Sequence, residues 1–361
     1  MRGAMTRLLA CLSLFFFLVP VTYVRGPAPP ANDSQYIALE PIAIAPDGAA
    51  RSRVGRLEFL GGWKIGSDNP AFGGISSMVA LPDNRFLMLS DNGTLAGFTL
   101  DEDGNRAIRP FIAPLPDGPD KPNEFARRNW DAESLLYNPG TGQFWVGYEH
   151  QHSIWRYGPS LARKEAAHYP KATQQWPENG GAEAMLRLPD GRFLVFSESA
   201  LYAKGGYQAL MFEDDPAEPG SEAVLFGHRP PKGYNLTDAA LIDDKSALLL
   251  HRRFTPLDGV SAIVSIAQLS DFQPGKVATS RPIATIKPPL KVDNMEALAV
   301  TRDGDNVIVW MASDDNFNAF QESLLFKFRL LKGKKALKKP AGERQTEKAG
   351  ASPGFSTFES D

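Results

Sequence analysis

Gly181-Ala182-Glu183-Ala184-Met185-Leu186-Arg187-Leu188-Pro189-Asp190-Gly191-Arg192-Phe193-Leu194-Val195-Phe196-Ser197-Glu198 is the stretch that decides the fold. A short apolar segment holds one acid, a Pro-Asp-Gly turn follows, and an apolar run ends in polar residues. The chain repeats this pattern. Its other starts are Gly74-Ile75-Ser76-Ser77-Met78, Asp131-Ala132-Glu133-Ser134-Leu135, Leu236-Thr237-Asp238-Ala239-Ala240 and Asn294-Met295-Glu296-Ala297-Leu298. The third residues, Ser76, Glu133, Glu183, Asp238 and Glu296, are spaced by 57, 50, 55 and 58. A fixed period in this range signals an array of like units.

Each start leads through an Asn-, Asp- or Gly-bearing turn, the residues that supply the positive φ of tight hairpins. Apolar runs follow at Phe86–Leu89, Phe144–Val146, Phe193–Phe196, Ala247–Leu250 and Val307–Met311. They have strand length and strand composition. They do not alternate with polar residues, which predicts sheets covered on both faces. Third strands are expected at Leu95–Leu100, Ser153–Tyr157, Ala209–Phe212, Ala262–Ala267 and Leu324–Phe328. The unit is an antiparallel meander, and meanders repeated radially make a β-propeller. A sandwich is the other all-β possibility, but the long even period favours the propeller. Five units are visible. Tyr36–Leu39 and Arg56–Ile65 offer strands for a sixth blade, completed with C-terminal strands.

The formal net charge of -3 gives no electrostatic case for nucleic acid as a partner. The ends differ from the middle. Met1–Arg7 is basic and Leu8–Val19 apolar, the pattern of an export signal or an uncleaved anchor. Residues 1–25 are therefore read as signal or membrane tether, 26–35 as a Pro-rich linker, 36–331 as the propeller and 332–361 as a basic, polar tail. The single cysteine, Cys11, lies in the first segment, so the propeller has neither disulfide nor thiol nucleophile. This suits an exported protein, periplasmic or secreted, or held at the inner membrane by its amino terminus.

Two acidic columns carry the chemistry. The first, Glu133, Glu183, Asp238 and Glu296 with Ser76, sits at the start of what should be each innermost strand. The second ends the next strand at Asp91, Glu149, Glu198, Arg252 and either Asp314 or Asp315. Buried carboxylates gathered together need a cation, protons or hydrogen bonds. Oxygen donors without thiolates or a zinc spacing point to Ca²⁺, then Mg²⁺. The plainer alternative is that each carboxylate bonds backbone amides between blades. The fourth unit ends in His251-Arg252-Arg253 instead of acid. Arginine's planar fork suits phosphate or carboxylate, so these residues are candidates to bind a small anionic substrate. Arg252 could instead pair with Glu198 or Glu296. Arg127-Arg128 is a further basic candidate.

The columns resemble the bacterial phytase-like family, also described as having the esterase-like activity of phytase. The matching pieces are Phe72-Gly73-Gly74-Ile75-Ser76-Ser77, Ser90-Asp91-Asn92-Gly93, Asp131-Ala132-Glu133-Ser134-Leu135, Glu183-Ala184-Met185, Asn294-Met295-Glu296-Ala297-Leu298 and Ser313-Asp314-Asp315-Asn316-Phe317. They span Arg56 to Leu330. The resemblance implies a repeated acidic domain, a propeller and phosphoester hydrolysis. On that reading Glu133, Glu183, Asp238 and Glu296 hold a cation, with Asp91, Glu149, Glu198 and Asp314 beside it or at a second one. Glu183, Glu296 and Arg252 would act on the ester, with Arg253 and His251 near the anion. Two alternatives stay open: a calcium-dependent lactonase or esterase, and a non-catalytic scaffold of the cell envelope.

Overall fold

A computed structural model describes residues 32–48, 52–119 and 130–333. The signal or anchor segment, the start of the linker, Arg127-Arg128 and the tail beyond residue 333 lie outside them. Among the described residues there are strands and two short 3-10 turns, with no α-helix. The strands form five sheets.

Three strands precede the first repeat: β1 (Ala38–Pro41), β2 (Arg53–Val54) and β3 (Leu57–Gly66). Blade 1 is β4 (Ile75–Leu81), β5 (Arg85–Ser90), β6 (Thr94–Leu100) and β7 (Ala107–Pro114). Blade 2 is β8 (Ala132–Tyr137), β9 (Phe144–Tyr148), β10 (Ser153–Tyr157) and β11 (Lys164–His168). Blade 3 is β12 (Ala182–Arg187), β13 (Phe193–Leu201), β14 (Tyr207–Phe212) and β15 (Ala223–Arg229). Blade 4 begins with β16 (Asn235–Leu241), β17 (Ser246–Thr255) and β18 (Gly259–Gln268). The chain then crosses to blade 3, where β19 (Val277–Thr279) pairs in parallel with β15, and returns as β20 (Arg281–Ile286) on β18. Blade 5 is β21 (Asn294–Asp303), β22 (Asn306–Asp314) and β23 (Leu324–Leu330).

The propeller is thus five-bladed. The sixth blade expected from the amino-terminal strands does not form, because β3 pairs antiparallel with β23 and completes blade 5, with β1 and β2 beside it. Joining β3 to β23 in one sheet closes the ring of blades. Leu331 N–H donates to Arg56 O (2.8 Å), and the Arg56 guanidinium donates back to Leu331 O. The inner strands β4, β8, β12, β16 and β21 contact one another in that order around the axis, and β21 meets β4.

Five apolar clusters fill the five seams between blades. Successive residues of a strand go to opposite seams. Phe86 and Met88 of β5 pack toward blade 5, and Leu87 and Leu89 toward blade 2. In β22, Ile308, Trp310 and Ala312 enter one seam while Val309 and Met311 enter the other. This is why the second strands are apolar throughout. Trp310 stands over Trp63 at 6.2 Å and meets Phe86 edge-on at 4.6 Å, joining blade 5 to blade 1.

The seam of blades 3 and 4 holds a polar exception. His228 on β15 and His251 on β17 stack with ring centroids 5.7 Å apart and planes 8° apart. Both are buried, and no ring nitrogen has a hydrogen-bond partner. His251 is therefore wedged between blades rather than facing the axis. Burial lowers the His228 imidazole from 6.5 to about 4, and lowers His251 through burial and the neighbouring ring. Between those pH values the unfolded chain binds more protons, so stability is full above about 6.5 and falls as pH drops toward 4. His228 alone accounts for about 3 kcal/mol across that window. We expect a His228→Leu, His251→Leu variant to show a flatter melting-temperature profile from neutral to acid pH than the native chain. Parallel profiles would place the acid sensitivity elsewhere.

Candidate acidic site at one end of the axis

Each inner strand carries a β-bulge near its start, where one residue is left out of the ladder. The skipped residues are Ser76, Glu133, Glu183, Thr237 and Glu296. Four of these belong to the first acidic column. In blade 4 the register differs from the sequence alignment by one: Thr237 is the bulge residue, and Asp238 takes the position of Ser77, Ser134, Ala184 and Ala297. A one-residue shift in a strand changes what a side chain faces.

The consequence for Asp238 is a structural bond. Its carboxylate accepts the N–H of Leu298 on blade 5 (2.7 Å) and that of Ala239 (2.7 Å), with the Ser77 hydroxyl at 3.5 Å. Ser77 makes the same contact between blades 1 and 2, accepting the Leu135 N–H at 3.1 Å. Small hydroxyls reinforce the ring in the other direction. Ser76 donates to Ala132 O, Ser134 to Ala182 O and Thr237 to Met295 O, each on the next blade. Backbone hydrogen bonding between blades, the plain alternative for any one carboxylate, thus describes Asp238.

The other acids gather. Pairing sets Arg252 opposite Asn235 and Asp314 opposite Asn294, and Glu149 N–H donates to Asp131 O. The ends of the second strands therefore lie beside the bulges. Asp314 is the residue in register. Asp315 turns away to accept the N–H groups of Gly74 and Phe317 and the Ser323 hydroxyl. Asp91, Glu149, Glu183, Glu296 and Asp314 are all under a tenth exposed. Glu149 accepts the Gly181 N–H at 3.0 Å. A Cβ on Gly181 would meet Glu149 side-chain atoms at 2.9 Å, so only glycine allows this approach.

Burial raises Glu133, Glu149, Glu183, Glu296 and Asp314, and neighbouring carboxylates add to it. Glu133 is pushed well up by burial, then by Asp131, Glu149, Asp91 and Glu296. Glu183 is pushed up by burial, Glu198, Glu133, Glu149 and Glu296. Asp314 rises through burial, Asp91 and Glu296. Glu149 reaches about 8 through burial and Asp131, and Glu296 about 7, where burial outweighs the pull of Arg252. Arg252 faces this group from blade 4. Its Nε lies 2.7 Å from Glu296 and its terminal nitrogen 3.4 Å from Glu198, with a third of the side chain exposed. Arg253 lies outside the cluster, pairing with Asp258 at 3.1 Å and standing over the Tyr234 ring.

Asp131, Glu133 and Glu149 each place a carboxylate oxygen within 4.8 Å of the other two. Two oxygens on opposite sides of a Ca²⁺ at about 2.4 Å stand about that far apart, so the donor set fits a hard cation of that size. His150 Nε2 bonds Asp131 at 2.9 Å. Neither Asp131 nor His150 stands out in the sequence as a site residue. The position two residues before each bulge is Gly74, Asp131, Gly181, Asn235 and Asn294. Asn235 and Asn294 donate to Glu198 and Asp314, so this column also borders the site.

A family profile described as phytase-like, with the esterase-like activity of phytase, matches residues 70–317. The chain belongs to the phytase-like family. The matched residues contain all five bulges and both acidic columns. No curated protein matches the sequence significantly. Among solved structures the chain is similar to hydrazine synthase of Kuenenia stuttgartiensis, with 13% identity and a TM-score of 0.35, covering 68% of this chain and 57% of that one. It is also similar to the Cps50 (Swd1) β-propeller domain of Myceliophteria thermophila, with 8% identity, 81% and 99% coverage and a TM-score of 0.36. A luciferin-regenerating enzyme matches at 10% identity, 72% and 92% coverage and a TM-score of 0.36. Scores this low carry nothing about activity.

The axis has a second opening. A cavity of about 840 Å³ lies at the other end, walled by inner-strand residues such as Met78, Leu186 and Leu298 and by the first turns, with Asp238 deep within it. The inner strands start at the acidic cluster and run roughly 20 Å to these turns. This cavity and the acidic cluster therefore lie toward opposite ends of the axis.

Asp238→Ala removes the acceptor of two buried N–H groups. It should cost about 2–4 kcal/mol, read as a lower melting temperature. A loss below about 0.5 kcal/mol would remove Asp238 from the inter-blade contact.

Proposed function

We propose that the phytase-like chain is an exported hydrolase whose acidic axial site holds a divalent cation, Ca²⁺ before Mg²⁺, and cleaves a phosphoester. The observation that carries this is the convergence of Asp131, Glu133 and Glu149 within one cation's reach, inside a larger ring of buried acids. These three would hold the cation, with Asp91, Glu183, Glu198 and Asp314 around it. When bound, the cation would supply Lewis acidity toward a phosphoryl oxygen.

The chain's own residues do the rest. Burial excludes bulk water from Glu183 and Glu296. Glu296, titrating at about 7, can take or give a proton at neutral pH. Arg252, one-third exposed, can turn part of its fork toward an anionic substrate. Export is supported by the basic and then apolar amino terminus.

One observation favours a second reading. Arg252 is already held by Glu296 and Glu198, so a neutral lactone or carboxylic ester would suit the same acids without displacing it. The two readings separate on Arg252→Ala. For phosphoester cleavage, kcat/KM should fall about 10- to 100-fold on a phosphomonoester and far less on a neutral ester. Equal losses would favour the neutral substrate.

Glu183→Gln and Glu296→Gln should each lower kcat on the accepted substrate by about 100-fold or more. The fold should be kept, as judged by circular dichroism. Full activity in both variants would remove them from the reaction and favour a scaffold.

A further inference from the structure

The exposed apolar side chains are not spread evenly over the propeller. Large hydrophobic residues at least 49% exposed are Tyr36, Tyr169, Leu201, Phe254, Leu257 and Phe320. Strand direction puts all six on one face. Leu201 ends β13, Phe254 and Leu257 cap the β17–β18 hairpin, and Phe320 lies between β22 and β23, all past the second acidic column. Tyr169 follows β11 and Tyr36 precedes β1 at the same level. Leu257 is 98% exposed and Phe320 81%, so these side chains stand in solvent at loop tips. The remaining exposed large hydrophobics, Ile108, Phe111, Val224 and Leu225, are on the outer strands β7 and β15.

The opposite face lacks these tips. Its turns and loops expose charges of both signs, such as Asp83, Asp190, Asp244 and Asp303 with Arg85, Arg163, Lys245 and Arg302, and none of the large apolar residues above. On the acidic-site face Lys171, Lys204, Lys232 and Lys287 stand exposed among the apolar tips, together with Asp33, Asp68, Glu178 and Asp258. Apolar tips with lysines beside them suit a phospholipid surface, where acyl chains take the first and phosphate headgroups the second. The chain also enters the fold on this face, since Asn32 bonds Asp68 and Asn69 beyond the end of β3. The sequence before it carries the apolar Leu8–Val19 stretch.

We propose that the face bearing the acidic site docks on a phospholipid bilayer, with Leu201, Phe254, Leu257 and Phe320 entering the headgroup boundary. This holds whether or not the site hydrolyses an ester. It is distinct from tethering by the amino terminus, which by itself leaves the orientation of the propeller free.

The test uses the full chain with Cys11→Ser and one new cysteine carrying an environment-sensitive nitrobenzoxadiazole label. Vesicles are made of phosphatidylethanolamine and phosphatidylglycerol. Labels at Leu257→Cys and Phe320→Cys should shift to the blue and brighten severalfold on mixing, and one at Asp190→Cys should not. Adding Phe254→Ser and Leu257→Ser should diminish the response at Phe320→Cys. Silence at 257 and 320 overturns the proposal, including when a label on native Cys11 responds, which would mean tethering alone. Equal responses at 190 and 257 overturn it too, as adsorption without orientation.

Discussion

The β-bulge at the start of each inner strand is the constraint on which the site depends. It removes one residue per blade from the ladder at the same height on the ring, and so frees a side chain from the pleat. Where that residue is Glu133, Glu183 or Glu296, it joins the acidic cluster; where it is Ser76 or Thr237, it bonds the next blade. The residue after the bulge has its own use, since Ser77 and Asp238 clamp an N–H of the following blade. One local irregularity therefore supplies both the site and hydrogen bonds that join neighbouring blades.

Electrostatics then limits what the site can be. Desolvation pushes Glu133, Glu183, Glu149, Glu296 and Asp314 upward together. Arg252 and the Asp131-bonded His150 are the basic groups set against them. Such a group must share protons or accept a cation. The three oxygens within 4.8 Å of one another come from blade 2, and the proposed cation would sit there, with Arg252 on blade 4. On the proposed reading, Arg252 and that cation would hold an ester from two sides.

Much of this was legible in the sequence, for physical reasons. The expected second strands, such as Phe193–Phe196 and Val307–Met311, all lie within observed ones, because apolar runs between turn signals have few other solutions. Blade number was less legible. Arg56–Ile65 reads as a strand, but its partner β23 is at the far end of the chain, and local pattern does not reveal a partner. Asp238 shows the limit of alignment by eye. An acid beside a threonine can be slid by one residue into the acidic column, and only ladder pairing shows the slip. Asp131 reads as a spacer before a strand, and nothing local marks His150, whose place at the site comes only from its contact with Asp131. Asp314 could be told from Asp315 only once Asn294 was found opposite it.

Calorimetric titration of the metal-stripped protein with Ca²⁺, beside a Glu133→Gln variant, tests the central claim most directly. The account predicts saturable, stoichiometric binding by the native chain and its loss or strong weakening in the variant. No binding by natively folded protein would contradict it, leaving the acids as a protonated, structural lining of the propeller axis.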